Sequence, residues 1–238
     1  MSIADKLTTI AENEQKVYDA GRTFGQGDIW DIVQNFGKRR SMNYAFANCS
    51  GVGFKPKYPL RPTTCLYMFN YFANGDDNTV DLREIELDTS GSTDFGYMNN
   101  FSKISAFGTI DTTKATSIAN IFYNAKHLHT VELLILKDDG SQTAGANVFL
   151  HCSKLKNINI QGKWGKSVSV SEATQLSKDS ITSFVNALLD TATGQTLTLS
   201  LTAVEKAFET SEGKNDGSTS TEWNTLIATK PNWTISLA

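Results

Sequence analysis

The stretch Phe149-Leu150-His151-Cys152-Ser153-Lys154-Leu155-Lys156-Asn157-Ile158-Asn159-Ile160 sets the fold expected for this chain. It reads F-x-x-C-x-x-L-x-x-I-x-I, so its first apolar residues recur at every third position and its last ones alternate. Alternation predicts a short strand with one buried side, and a period of three predicts one turn of α- or 3₁₀-helix. A unit this short cannot cover its own apolar side, so copies of it must stack.

Further copies of this unit run through the middle of the chain. They begin at Phe46, Phe69, Met98, Phe122 and Phe149, a spacing within the range of about 20–29 residues that is typical of leucine-rich repeats. The frame residues of the inner copies are Phe122, Ala125, Leu128, Val131 and Leu133, and before them Met98, Phe101, Ile104 and Phe107. The copy at Phe69 and Phe72 resumes at Leu82, Ile85 and Leu87 after the insertion 74–78, and the first copy is reduced to Phe46, Cys49 and Val52.

These copies predict an α/β leucine-rich-repeat solenoid, a short and irregular right-handed superhelix, over residues 42–170. Residues 1–41 are predicted to form N-terminal helices that cap the solenoid or assemble it. Residues 171–238 are predicted to be a strand–helix–strand cap continuous with the solenoid. A helix is predicted in 180–190, short helices in 203–210 and 221–229, and alternating strands in 195–201 and 231–237.

A second element recurs between the copies. Asp88-Thr89-Ser90 precedes Met98, and Asp111-Thr112-Thr113 precedes Phe122. Side chains of Asp, Ser and Thr can hydrogen-bond nearby backbone groups and turn the chain after a strand. These triplets are therefore interpreted as turns and not as a ligand site.

The triplets and the repeat together resemble the BspA-like leucine-rich-repeat family of bacterial surface proteins. The combined pattern is D-T-[ST] followed by [MI]-F-x-x-[CA]-x-x-L-x-x-[IV]-x-[IL]. Residues 111–128 and 148–155 carry the resemblance, which extends over about 42–170. It implies a non-catalytic protein that binds or adheres at surfaces. The opening residues 1–21 are similar to the N-termini of proteins encoded in prophages of gut Firmicutes, which implies a tail or other virion component.

The N-terminus contains an apolar seam on a predicted helix, formed by Ile3, Leu7, Ile10 and Val17. Two interpretations stay open. Residues 3–24 could form a short coiled coil that makes the protein a homotrimer or docks it on a larger assembly. Alternatively, they form a single helix that packs against the first repeat.

The composition limits the partners and the location that are expected. The 238 residues have a formal net charge of −3, and no basic stripe interleaves with aromatic residues, so nucleic acid is not an expected partner. No run approaches the roughly 20 apolar residues of a membrane span, and no signal peptide is recognised. The protein is therefore expected to be cytoplasmic at synthesis and to reach a virion or the cell surface by a non-Sec route.

Residues typical of catalysis or metal binding do not form a recognisable constellation. His127 and His129 flank the core residue Leu128 without a third ligand at metal spacing, and Cys152 occupies an apolar position of the repeat beside His151. Like Cys152, the other two cysteines are expected to be small buried side chains and not parts of a disulfide framework. The sequence therefore predicts a protein that is not an enzyme and that needs no cofactor or metal.

The outward positions of the predicted strands are the candidate binding residues, because solenoids commonly bind through such surfaces. They are Arg83, Glu84, Glu86, His129, Thr130, Glu132, Lys156, Asn157 and Asn159. Their mixed charge fits a protein or a cell-surface glycan equally well. Two functions follow as alternatives: a binding or adhesion module that uses this surface, or a structural component of a phage tail assembled through its N-terminal helix.

Overall fold

In the computed structural model, which describes residues 39–56, 59–144, 147–209 and 220–238, the chain forms a mixed α/β fold built on a parallel β-solenoid of about four turns. The solenoid predicted from the repeat is therefore confirmed, whereas the leucine-rich-repeat class remains a prediction. The predicted N-terminal helices and the seam of residues 3–24 lie outside the described residues.

Short strands and a few helices make up the regular structure. The strands are β1 (Arg40–Ser41), β2 (Pro62–Thr64), β3 (Val80–Leu82), β4 (Ile104–Asp111), β5 (Thr130–Ile135), β6 (Asn157–Gln161), β7 (Val168–Val170), β8 (Gln195–Leu199) and β9 (Trp233–Leu237). The helices are α1 (Lys178–Asn186), α2 (Leu201–Phe208) and α3 (Thr221–Ala228).

All strand pairs in the described part of the chain are parallel, as stacking of successive coils requires. The central sheet has the order β3-β4-β5-β6, and β1-β2 and β7-β8-β9 form two smaller sheets. Ala106 pairs with Thr130, and Thr130 pairs with Asn157, so equivalent residues of neighbouring coils lie side by side. The predicted alternation is visible in β6, where Ile158 is buried between the exposed Asn157 and Asn159. In β5 it is wrong after Val131, because the register shifts and the next buried residue is Leu134, whereas the predicted inward residue Leu133 is half-buried.

The first half of each repeat is not helical, and the sequence-based expectation of a helical turn is wrong there. Residues 43–48, 66–75, 96–101, 119–124 and 147–151 form consecutive turns, which we name the turn ladder. Tyr44, Phe46 and Asn48 each donate a backbone N–H to a carbonyl of the next coil, at 3.0, 2.9 and 2.9 Å. The N–H groups between them close local turns, as Ala45 N donates to Met42 O and Ala47 N to Tyr44 O, both at 3.1 Å. Bonds to the next coil therefore alternate with single turns, and no continuous helix forms.

The core contains a column of phenylalanines that follows the solenoid. Phe69, Phe107, Phe122 and Phe149 are buried, and ring centroids lie 6.1 Å apart for Phe69–Phe107 and Phe107–Phe122 and 5.6 Å apart for Phe122–Phe149. The column ends on Phe184 of α1, at 5.5 Å from Phe149. In the coil that begins at Met98 the ring comes from Phe107 of β4. The other rings of the solenoid come from the first position of the repeat, so the column explains the recurrence of Phe there.

Two positions assigned to the core from the repeat frame lie on the surface. Phe101 is 36% exposed, and Val52 is 71% exposed. In the coil of Phe101 the buried position is taken by Ser102, whose hydroxyl hydrogen-bonds Asn99. A polar side chain can fill this position because its neighbour satisfies it, and the larger ring is displaced outward.

The D-T-[ST] triplets are turns, as predicted. Asp88 Oδ1 accepts hydrogen bonds from Ser90 N at 3.1 Å and Ser90 Oγ at 2.6 Å, and Asp111 makes the equivalent contacts with Thr113. The central Thr89 connects its coil to the next one, since its hydroxyl accepts from Asp111 N at 2.7 Å. The triplets therefore combine turn formation with cohesion between coils.

The C-terminal segment contains the predicted strands and helices. The helix predicted in 180–190 is α1, the strand predicted in 195–201 is β8, and the chain closes with β9. Ser177, Ser200 and Ser220 cap the helices with their side chains. Buried apolar side chains from Met42 to Trp233 belong to one continuous core cluster, so these elements extend the solenoid core.

Candidate functional site

A row of aromatic side chains crosses the coils on the turn ladder. Tyr44 stacks on Tyr67 with ring centroids 4.9 Å apart and 14° between the ring planes, and Tyr67 stacks on Tyr97 at 5.1 Å and 5°. Tyr123 continues the row edge-on to Tyr97 at 5.7 Å and 89°, and His151 follows at 6.1 Å. We name Tyr44, Tyr67, Tyr97, Tyr123 and His151 the aromatic row.

A second, shorter set of rings lies beside this row. Tyr71 stacks on Phe101 with centroids 4.9 Å apart and 18° between the planes, and we name these two residues the side pair. Tyr71 and Phe101 keep 39% and 36% of their surface exposed, and Tyr44 keeps 49%. Large exposed apolar side chains that cluster in this way are typical of a contact surface.

The backbone of the turn ladder holds these rings in place at an energetic cost. Tyr44, Tyr67 and Tyr97 have φ angles of 57°, 53° and 52°, and Tyr71 and Phe101 have 54° and 53°. Left-handed backbone costs a bulky residue on the order of 1–2 kcal/mol, and it persists only where surrounding contacts fix it. Here the inter-coil hydrogen bonds fix it, because Tyr67 N donates to Gly96 O at 3.0 Å.

The stacking determines which part of each ring meets solvent. Neighbouring rings cover each other's faces between Tyr44 and Tyr97, so the exposed parts are ring edges and phenolic hydroxyls. Such a row is amphipathic, with an apolar edge and a hydrogen-bonding group repeated at each coil. The arrangement can bind an elongated ligand that offers apolar C–H groups and hydroxyls in turn.

An asparagine ladder runs alongside the rings. Asn100 Nδ2 donates to Asn70 Oδ1 at 2.8 Å, and Asn124 Nδ2 donates to Asn100 Oδ1 at 3.4 Å. Asn100 and Asn124 are buried, so these bonds satisfy polar groups that would otherwise be costly. The ladder fixes the register of the turns that carry the aromatic row.

The binding residues predicted from the sequence lie elsewhere, on the strand side of the solenoid. Arg83, Glu84, Glu86, Glu132, Lys156, Asn157 and Asn159 are exposed, and His129 and Thr130 are half-buried. Several of their charges are already paired: Arg83 Nε donates to Asp81 at 2.9 Å, and Arg83 lies 3.8 Å from Glu132. The hydrogen bond from Arg83 lowers the pKa of Asp81. Since pairing uses part of this surface, it is the weaker candidate.

The aromatic row was missed from the sequence, although a signal for it exists. Tyr44 and Tyr67 each stand two positions before the core residues Phe46 and Phe69. The repeat frame follows only inward residues, and the predicted outward positions come from the strands alone. Reading the outward positions of the turns as well would have found the tyrosines.

The cysteines and His151, which were considered as catalytic residues, are accounted for by burial and by pairing. Cys49, Cys65 and Cys152 are buried, as predicted. Burial raises the pKa of the Cys65 thiol to about 12 and also raises the pKa of Cys152, whose Sγ lies 3.0 Å from Phe122 O. His151 Nδ1 pairs with Glu172 at 3.1 Å on the surface. Within the described ranges no group of three or more His, Cys, Asp or Glu could hold a metal ion.

A shallow depression of about 510 Å³ lies between the end of β6 and α1. Asp138, Lys163, Asp179 and Ser183 contribute to its lining. Lys163 Nζ donates to Asn186 O at 2.9 Å, and Ser183 Oγ accepts from Ile160 N at 2.8 Å. These polar groups connect α1 to the solenoid, so the depression is explained by packing.

The fold and this surface define a class: a parallel β-solenoid with a partly exposed aromatic row across its coils. No family model matches the sequence, and no curated protein or solved structure matches it significantly. In the described part of the chain, no helix has the length and apolar character needed to cross a membrane.

Proposed function

We propose that this protein is a non-enzymatic binding module that recognises an elongated glycan through the aromatic row and the side pair. The observation that carries the proposal is the stacking of Tyr44, Tyr67 and Tyr97 in left-handed turns on the surface. Surface rings held at a conformational cost indicate a function beyond stability. The resemblance of residues 42–170 to BspA-like repeats supports a recognition role as well.

The repetition of the row favours a polymer over a compact ligand. Neighbouring coils of a parallel solenoid are about 4.8 Å apart, so the row offers one ring edge and one polar tip at each such step. An extended glycan repeats C–H groups and hydroxyls at a comparable step. A glycan that lies along the solenoid can therefore make the same contact at each coil.

The proposal is tested by glycan binding of the full chain on an array and by isothermal titration. Replacing both Tyr71→Ser and Phe101→Ser removes exposed ring surface without opening the core. Val52→Ser is the matched control. It removes an apolar side chain that is 71% exposed and belongs neither to the aromatic row nor to the side pair. We expect the double variant to bind at least ten-fold more weakly and the control to bind like wild type. Absence of binding across neutral and acidic glycans, or equal binding by the double variant, would refute the proposal.

The seam of Ile3, Leu7, Ile10 and Val17 supports the alternative of an assembled particle component. Its test is the molar mass of the full chain in solution, compared with the variant Leu7→Asp/Ile10→Asp. A trimer that dissociates in the variant supports assembly through residues 3–24. A monomeric wild-type chain contradicts it.

A further inference from the structure

A row of basic side chains lies where the turn ladder leads into the central sheet. Ala106 pairs with Thr130, and Thr130 pairs with Asn157. The residues three positions before each of these therefore occupy equivalent positions on three successive coils. They are Lys103, His127 and Lys154, which we name the basic row. Basic groups gathered in this way repel one another when they are protonated, so the arrangement is not explained by stability.

Acidic side chains do not neutralise this row in the described residues. The described ion pairs involve neither Lys103 nor Lys154, and Lys103 Nζ donates instead to the backbone carbonyl of Asp76. Burial first, and then the charges of Lys154 and Lys103, lower the pKa of His127. His129 and Lys126 act in the same direction. Basic side chains are therefore gathered at this position although the whole chain has a net charge of −3.

The basic row borders the surface assigned to glycan binding. Phe101 of the side pair stands two residues before Lys103 in the same coil. His129 and Lys156, which are among the residues predicted from the sequence, stand two positions after His127 and Lys154. A ligand that continues from the side pair along the solenoid therefore meets Lys103 in the same coil and the exposed Lys154 two coils further on.

We propose that Lys103, His127 and Lys154 bind the acidic groups of an anionic glycan that lies along the solenoid. This inference rests on the proposed function and specifies the class of glycan. Lys103 and Lys154 lie two coils apart, about 9.6 Å, which suits carboxylates or sulfates carried on alternate sugars. Lysine forms charge-assisted hydrogen bonds with such groups, and the neutral imidazole of His127 between the lysines can donate one N–H.

Nucleic acid fits this surface less well than an acidic glycan. Proteins that bind single strands stack bases on free aromatic faces, whereas the faces in the row between Tyr44 and Tyr97 cover each other. Duplex nucleic acid carries one charge per about 1.7 Å of axis and is met by extended basic surfaces. Nucleic acid and anionic membranes are accordingly controls in the experiment.

The test uses the full chain with polygalacturonate, alginate and heparin, and with methyl-esterified polygalacturonan as the uncharged counterpart of the first. Lys103→Gln/Lys154→Gln is compared with Lys114→Gln/Lys166→Gln, which removes the same charge at exposed positions elsewhere. We expect the first variant to bind an acidic polymer at least ten-fold more weakly, and the second to bind like wild type. Lys154→Gln alone, at an exposed position, should show part of the loss if the double variant folds poorly.

The outcomes separate the two proposals. If an uncharged glycan binds, and binding depends on the side pair but not on Lys103 and Lys154, the basic row has no role and the proposed function stands. If binding of every glycan is independent of the side pair, the proposed function fails. If a DNA oligonucleotide or phosphatidylserine vesicles bind as tightly and with the same lysine dependence, the assignment to a glycan is overturned.

Discussion

Tyr67 and Tyr97 lie face to face on neighbouring coils, with ring centroids 5.1 Å apart and 5° between the ring planes. Both residues have left-handed backbone. Their contact couples the surface of one coil to the next, as the phenylalanine column does in the core. A solenoid is stabilised chiefly by such contacts between neighbours, so the aromatic row contributes to stability as well as to the proposed binding surface.

A double-mutant cycle of Tyr67→Ala and Tyr97→Ala measures this coupling. We expect a coupling free energy of about 0.5–1.5 kcal/mol, the usual range for an aromatic pair. The cycle of Tyr44→Ala and Tyr97→Ala is the control, because Tyr67 separates these rings. Urea unfolding of the six chains gives the free energies. Equal coupling in the two cycles would show that the rings do not stack in solution as described.

Replacing Phe101 and Phe122 separately by Ala tests the corrected repeat frame. Phe122 is fully buried, and its truncation should cost about 3–5 kcal/mol of unfolding free energy. Phe101 is exposed and stacks on Tyr71, so its truncation should cost about 0.5–1.5 kcal/mol. Thermal and denaturant unfolding measure both values. If Phe101→Ala lowers the free energy of unfolding as much as Phe122→Ala does, Phe101 is a core residue in solution and the corrected repeat frame is wrong.

Two glycines with left-handed backbone form a matched pair. Gly194 has a φ of +67° and open space where a Cβ would lie, whereas a Cβ on Gly162 would lie 2.2 Å from Leu136 O. Gly194→Ala should therefore lower the free energy of unfolding only by the cost of placing alanine in left-handed backbone, about 1–2 kcal/mol. Gly162→Ala adds a steric clash between coils and should cost about 1–3 kcal/mol more. The comparison of the two unfolding free energies tests how closely the coils approach at Gly162.

The turn at Asp88 predicts a dependence of stability on pH. Hydrogen bonds from Ser90, followed by those from Arg39, lower the pKa of Asp88 in the folded chain. A carboxyl whose pKa is lowered by folding stabilises the chain above its unfolded pKa of about 3.9, and this contribution is lost as the pH falls through the folded pKa. Asp88→Asn should therefore be less stable than wild type at pH 6, and the difference should shrink towards pH 2.

Ser90→Ala provides the companion measurement for this prediction. Removing the hydroxyl takes away a 2.6 Å hydrogen bond to Asp88 and should reduce the pH-dependent part of the stability. Melting temperatures measured between pH 2 and pH 6 compare wild type with both variants. A constant difference between wild type and Asp88→Asn over this range would contradict the assigned role of the carboxylate.

The parallel coils could be predicted because their cause is local in the sequence. The alternation of Val131, Ile158 and their neighbours requires one buried side, and stacking is the way for such short units to bury it. The same reasoning predicted the helices and strands of the C-terminal segment and the burial of Cys152. Each of these follows from apolar periodicity, which the sequence displays directly.

The conformation of the turn ladder could not be predicted in this way. A period of three between Phe46 and Cys49 is compatible with helix and with consecutive turns, and the choice depends on where the backbone N–H groups find acceptors. In this segment the acceptors alternate between the same turn, such as Met42 O for Ala45 N, and the next coil, such as Leu66 O for Tyr44 N. A partner so distant along the chain is not visible in a local pattern.

The sequence by itself determined that the chain stacks short apolar units into a parallel solenoid, since burial of periodic apolar residues leaves little other choice. Only the tertiary structure decided which side chains line the candidate surface. It turned Tyr44, Tyr67 and Tyr97 outward into one row and aligned Lys103, His127 and Lys154 into another. The physical reason is that both rows depend on the register between coils, which hydrogen bonds such as Asn100–Asn70 fix in space.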